Sequence, residues 1–187
     1  DADWLKYHPS YGASSDSVQS AKYANDTRER IYGTGESDTL NVGSLNYVYA
    51  MGGDDVITFS GDTSFQYIYG HGGNDTYRYS APMNGSLVYL SSSAETATSG
   101  EADRFVFTDL NLEDFTFTTY DYTQGGTVNS AEGVSLRMLW SKDGASGEVR
   151  LANMGGQIEE FEFADGTVLS RIDADWLKYH PSYGASS

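Results

Sequence analysis

Ile68-Tyr-Gly-His-Gly-Gly-Asn-Asp75, continued by Thr76-Tyr77, runs from a β-prone pair through a glycine-rich bend and an aspartate to a second β-prone pair. Two earlier stretches read almost alike: Ile31-Tyr-Gly-Thr-Gly-Glu-Ser-Asp38 before Thr39-Leu40, and Val48-Tyr-Ala-Met-Gly-Gly-Asp-Asp55 before Val56-Ile57. Recurrence in phase marks a chain laid down in successive coils. Glycines allow the tight bend and leave carbonyl oxygens exposed, and each bend adds a carboxylate. Stacked bends of this kind gather the oxygen ligands that a hard divalent cation takes, calcium above all.

The coil is expected over residues 31–80, with short strands at 40–42, 48–49, 56–59, 67–69 and 77–79. About eighteen residues per turn allow two strands and two bends, which builds two facing parallel sheets. Leu40, Ile57 and Tyr77 on one side, and Ile31, Val48 and Ile68 on the other, are expected to point inward and stack. Tyr32, Tyr49 and Tyr69 share one repeated position, which predicts an aromatic ladder rather than a sugar site. The opposite edge offers only Ser44, Asn46, Asp62 and Asn84, so its bends read as largely metal-free, with Asp62 a turn residue. Asp54 and Asn74, beside the candidate ligands, are expected to hydrogen-bond the bends.

From about residue 81 the repeat fades and the pattern reads as an antiparallel β cap over 81–172. Phe105-Val-Phe, Phe115-Thr-Phe-Thr, Val134-Ser-Leu-Arg-Met-Leu-Trp140, Val149-Arg-Leu151 and the run 158–163 alternate with period two. Asp143-Gly144 and Asp165-Gly166 are turn signals between such runs. A parallel coil has an open end that invites aggregation, so a cap is physically needed.

The chain of 187 residues suits one domain, or one domain with a small annex, and carries a formal charge of −16, from 27 acidic against 11 basic residues. Nucleic acid is an unsuitable partner, because phosphate binding requires a basic face. The acidity serves solubility, or cations neutralise part of it; the aspartates in the bends favour cations. No cysteine is present, so neither disulfides nor thiolate metal sites hold the fold. No run is long and apolar enough to span a membrane, and no signal peptide opens the chain, although a fragment would lack one in any case.

Residues 1–15, Asp-Ala-Asp-Trp-Leu-Lys-Tyr-His-Pro-Ser-Tyr-Gly-Ala-Ser-Ser, return unchanged as 173–187. The simplest reading is one unit of a tandem array, 1–172, plus the opening of the next. The rival reading is an engineered tag at both ends. Within 1–30, a linker region, Asp1 or Asp3 can cap a short helix through Trp4, Leu5 and Tyr7 that Pro9 ends. A second short helix is expected at 16–24. In the array the N-terminal copy belongs to the preceding cap, and is expected to dock on a cap surface.

The three bends resemble the calcium-binding nonapeptide of the repeats-in-toxin (RTX) proteins, Gly-Gly-x-Gly-x-Asp-x-apolar-x; Gly70-His-Gly-Gly-Asn-Asp-Thr-Tyr77 matches best. Ile158-Glu-Glu-Phe-Glu-Phe-Ala-Asp-Gly-Thr-Val-Leu-Ser170 is similar to the ending of that family's flanking regions, and Gly100-Glu-Ala-Asp-Arg-Phe-Val-Phe107 fits the segment before it. The resemblance implies an all-β fold, a short parallel β-roll with an antiparallel β cap and short terminal helices or linkers. It implies Ca2+ between successive bends, held by the carboxylates of Asp38, Asp55 and Asp75. Main-chain oxygens would come from Gly33 and Gly35, from Gly52 and Gly53, and from Gly70, Gly72 and Gly73. Three bends enclose two sites that share Asp55, and Asp75 with Asp103 makes a third, weaker one. The first two bends depart from the pattern at Thr34, Glu36, Ala50 and Met51, which weakens or deletes the first site.

The same resemblance implies export in the unfolded state through a one-step (type I) channel and folding outside the cell, where calcium is abundant. The expected function is a calcium-binding structural repeat of a secreted or cell-surface protein. Such a repeat stiffens on Ca2+ and acts as a spacer in an adhesin or surface layer, with neighbouring repeats head to tail as partners and no membrane insertion. One alternative is a module that binds carbohydrate or protein through some of its 15 tyrosines. Another is the calcium-folded secretion domain of a larger enzyme, against which the terminal duplication argues. Catalysis is not expected: the histidines are His8, His71 and His180, two of them the same position in the duplicate, and no triad or metal-histidine set can be assembled.

Overall fold

The computed structural model describes residues 19–22, 29–43, 46–59, 66–81, 87–90, 102–121, 134–151, 158–170 and 172. The fold is all-β. In chain order the strands are β1 (Gln19–Lys22), β2 (Glu29–Tyr32), β3 (Thr39–Val42), β4 (Asn46–Tyr49), β5 (Val56–Phe59), β6 (Gln66–Tyr69) and β7 (Thr76–Tyr79). There follow β8 (Leu87–Leu90), β9 (Arg104–Phe107), a 3-10 turn (Leu112–Asp114), β10 (Phe115–Asp121), β11 (Val134–Lys142), β12 (Ala145–Leu151), β13 (Glu160–Glu162) and β14 (Val168–Leu169).

Two sheets hold them all. One has the order β1-β2-β4-β6-β8-β12-β11-β10 and the other β14-β13-β9-β7-β5-β3. From β2 to β9 successive strands alternate between the sheets, and each pairs in parallel with the strand one coil away. A parallel partner cannot be reached by a hairpin, so the chain must cross to the other sheet and back. That is the geometry of a coil.

The coil runs further than the sequence pattern implies. Pairing was expected to turn antiparallel near residue 81, yet β8 joins β6 and β9 joins β7 in parallel. After a β10–β11 excursion, β12 joins β8 and β13 joins β9, again in parallel. Antiparallel pairing is confined to β10–β11–β12 at one sheet's end, β14 at the other's, and β1 against β2. Long insertions between the later coils hide their register from any fixed period.

The short helix expected at 16–24 is overturned, because Gln19–Lys22 is a strand. An unpaired edge of β2 would leave a row of backbone groups without partners, and pairing with β1 outweighs weak local helix signals. The helix expected near Trp4 and the duplicate at 173–187 lie outside the described residues, as do Ser44, Asp62 and Asn84.

Period-two alternation sends one face of each strand inward. Leu40, Ile57, Tyr77, Phe105 and Phe161 form a single cross-strand row, all buried. Val48 and Ile68 face them from the other sheet, with Ile31 partly buried beside them. Each such side chain contributes about 1.5–3 kcal/mol by burial, and Tyr77 stacks on Phe105 at 5.8 Å. Phe115, Phe117, Leu136, Met138, Trp140 and Ile172 extend the same core into the capped end. Asp143 and Gly144 both have positive φ, 51° and 80°, in the two-residue turn joining β11 to β12. Among the described residues no helix is long and apolar enough to cross a membrane.

Candidate metal centre

Each crossing from the first sheet to the second ends on an acid immediately before the receiving strand. Asp38 precedes β3, Asp55 precedes β5, Asp75 precedes β7, Asp103 precedes β9 and Glu159 precedes β13. Parallel in-register pairing of those strands stacks the five acids in one column along the edge of the coil.

The column is hydrogen-bonded throughout. The amide of Asp38 donates to Asp55 Oδ1 at 2.7 Å, and that of Asp55 to Asp75 Oδ1 at 2.9 Å. Asp75 donates to Asp103 Oδ1 at 2.8 Å, and Asp103 to Glu159 Oε2 at 2.8 Å. The carbonyls of Asp38, Asp55 and Asp75 accept from the first residue of the next coil's strand, Val56, Thr76 and Arg104, at 2.8–2.9 Å. A carboxylate spaced one coil away therefore satisfies a bend amide that sheet pairing cannot reach.

A second row lies one residue earlier and runs in the opposite sense. Asp54 N–H donates to Ser37 Oγ at 3.2 Å, Asn74 N–H to Asp54 Oδ1 at 2.8 Å, and Ala102 N–H to Asn74 Oδ1 at 2.8 Å. Asp54 and Asn74 thus bind the bends together, as expected of them.

The glycines bring the bends into contact. A Cβ on Gly33 would lie 2.1 Å from Ala50 O, one on Gly53 2.4 Å from Glu36 C, and one on Gly73 2.1 Å from Gly53 O. Gly53 and Gly73 also have φ of 100° and 126°. Gly52 bridges Gly72, and Gly53 N–H donates to Gly72 O at 3.1 Å. Gly70 is buried, whereas Gly35 is exposed with nothing near its Cβ position.

Negative charge accumulates where water does not reach. Asp55, Asp75 and Asp103 are the buried charged residues among those described. Asp55 Oδ2 is buried with no hydrogen-bond partner. Burial pushes the Asp55 carboxyl up to about 7; the Asp38 amide works against this, and the charges of Asp75, Asp38 and Asp54 add to it. A buried acceptor left open costs about 1–3 kcal/mol. Among the described residues no three His, Cys, Asp or Glu side chains converge on one point. A cation here would rest on two carboxylates and main-chain oxygens, a donor set that suits calcium. The open Asp55 oxygen fits that group.

Beside the bends, Tyr32, Tyr49 and Tyr69 stack at 5.2 and 4.9 Å with interplanar angles of 10° and 3°. The ring of His71 continues the stack, 6.0 Å from Tyr69. Both faces of Tyr49 are thus covered within the ladder.

The structure brings the candidate ligands Asp38, Asp55, Asp75 and Asp103 into one column, and adds Glu159 and Ser37, which the sequence reading did not include. Gly155-Gly156 before Glu159, with Phe161 after it, was the available signal. A comparison with known proteins gives no match, either to a family model or to a curated protein.

Proposed function

We propose that this chain is a calcium-binding structural repeat of a secreted or cell-surface protein of the RTX kind, which folds and stiffens when Ca2+ enters the acidic column. The observation that carries the reading is the buried, partnerless Oδ2 of Asp55 within a file of like charges. Asp55 and Asp75, with main-chain oxygens of Gly52, Gly53, Gly70, Gly72 and Gly73, would hold the ion. Calcium supplies positive charge and six to eight coordination positions. The chain's own part is to bring the carboxylates and carbonyls into register, so that binding free energy becomes folding free energy.

The exact duplication of 1–15 at 173–187 supports placement in a tandem array. Ile172, the residue before the second copy, is buried in the core. A spacer role in an adhesin or surface layer follows from such an array, with export by type I secretion inferred from the family resemblance.

Far-UV circular dichroism in EDTA and in millimolar calcium, with calorimetric titration, tests the reading. The expected result is a gain of β signal and saturable heat, both abolished in Asp55→Ala/Asp75→Ala. Identical spectra and no heat would overturn it.

A further inference from the structure

The first bend is built differently from the other two. Register aligns Thr34 with Met51 and His71, and Glu36 with Gly53 and Gly73: Gly52 N–H donates to Thr34 O and Gly72 N–H to Met51 O, each at 3.4 Å. Met51 and His71 hold φ of 85° and 73°, and Gly53 and Gly73 hold 100° and 126°. Thr34 and Glu36 do not enter the left-handed region. A non-glycine residue is strained there, so bends two and three, through Met51 and His71, hold a strained shape that the first bend abandons.

The consequence falls on the carboxylate. Thr34 donates its amide to Asp38 Oδ2 at 2.5 Å and its hydroxyl to the same oxygen at 3.0 Å. The hydroxyl oxygen in turn accepts the Glu36 amide at 3.1 Å. In the second bend the corresponding oxygen, Asp55 Oδ2, has no such donor. Asp38 is therefore satisfied from within its own bend, by neutral donors that Asp55 Oδ2 lacks.

We infer, resting on the calcium reading above, that Thr34 takes the place of a cation at the first bend, so that Asp38 is a structural carboxylate and ion binding begins between the second and third bends. Thr34 and Glu36 thereby set how many ions a unit binds.

The number of calcium ions bound, read by native mass spectrometry and calorimetry on the full chain, tests this. Asp38→Asn keeps an acceptor for Thr34 and is expected to bind as many ions as the wild type, with affinity changed less than threefold. Thr34→Gly/Glu36→Gly frees both positions for the backbone of the later bends, and is expected to bind one ion more. Its thermal midpoint is expected to fall in EDTA and recover in calcium. A wild-type chain that binds no calcium overturns the earlier reading and this one with it. A wild type that binds, with Asp38→Asn losing an ion or the double variant gaining none, overturns this inference alone. Should the double variant fail to fold, the ion count of Asp38→Asn still decides.

Discussion

The indole N–H of Trp140 donates to the phenolic oxygen of Tyr79 across the buried interior, at 2.7 Å. Trp140 belongs to β11 at the capped end and Tyr79 to β7 of the coil, so one hydrogen bond ties the two regions. Gly147 lies beneath the indole, and a Cβ there would meet Nε1 at 2.5 Å. Tyr79→Phe leaves a buried donor without its partner and should destabilise the fold by about 1–3 kcal/mol. Gly147→Ala displaces the indole and should cost at least as much, while in a Trp140→Phe background, which lacks the indole donor, Tyr79→Phe should cost less. Urea unfolding of the set measures all three.

Asp55→Asn should act with opposite signs in the two metal states. The amide oxygen still accepts from Asp38, and the charge is gone. In EDTA the variant should unfold at a higher temperature than the wild type, because a buried carboxylate among like charges is removed. In millimolar calcium it should unfold at a lower temperature. Thermal melts in the two buffers check the crossing.

Acid should partly replace the cation. The Asp55 carboxyl is pushed up to about 7 in the folded, metal-free chain, against an ordinary value of 3.8. Between those values the folded state binds more protons than the unfolded one, so stability falls as pH rises from about 4 to about 7. In EDTA the coil should be more ordered at pH 5 than at pH 8, and calcium should flatten the difference. Glu148 limits the gain at lower pH. Burial works against its ionisation, but its bonds with Arg137 and Arg150 outweigh burial and hold it below its usual range. Its contribution is present above about pH 4.5 and is lost as pH falls through its folded value. Circular dichroism across pH 3–8 in both buffers follows the two trends.

Two glycines with positive φ should respond unequally to alanine. At Gly73 (φ 126°) the new Cβ would meet backbone at 2.1 Å, whereas at Gly144 (φ 80°) it meets open space. Gly144→Ala should cost about 1 kcal/mol from the backbone conformation alone. Gly73→Ala forces neighbouring coils apart, should cost several times that, and should not be rescued by calcium. Chemical denaturation of both variants in calcium-containing buffer gives the comparison.

The coil was legible because its determinants are local and repeat in phase. Each glycine bend, its aspartate and the inward residue two positions later recur together, and Leu40, Ile57 and Tyr77 could be placed in one row from that spacing. The turn at Asp143-Gly144 was legible for the same reason. Gln19–Lys22 was not: capping signals at 15–16 favour a helix, and only the presence of β2 makes a strand the better outcome. Asp103, 28 residues from Asp75, could still be offered as its partner, whereas Glu159, a further 56 residues along, could not. Intervening insertions erase the period, so membership of the column depends on tertiary pairing. Thr34 read as a departure from a glycine pattern, and its hydroxyl's position over Asp38 needed coordinates.

The two opposed rows of side-chain bonds along the bends make the molecule adjustable in whole units of length. Excising residues 56–75 would place Asp55 before Thr76 and leave Asp54 to receive the amide of Ala102, with an aspartate still facing Asp103. Because steps of 17, 20, 28 and 56 residues all meet in one column, length is absorbed between the strands, whereas loss of a residue between an acid and its receiving strand would displace that rung.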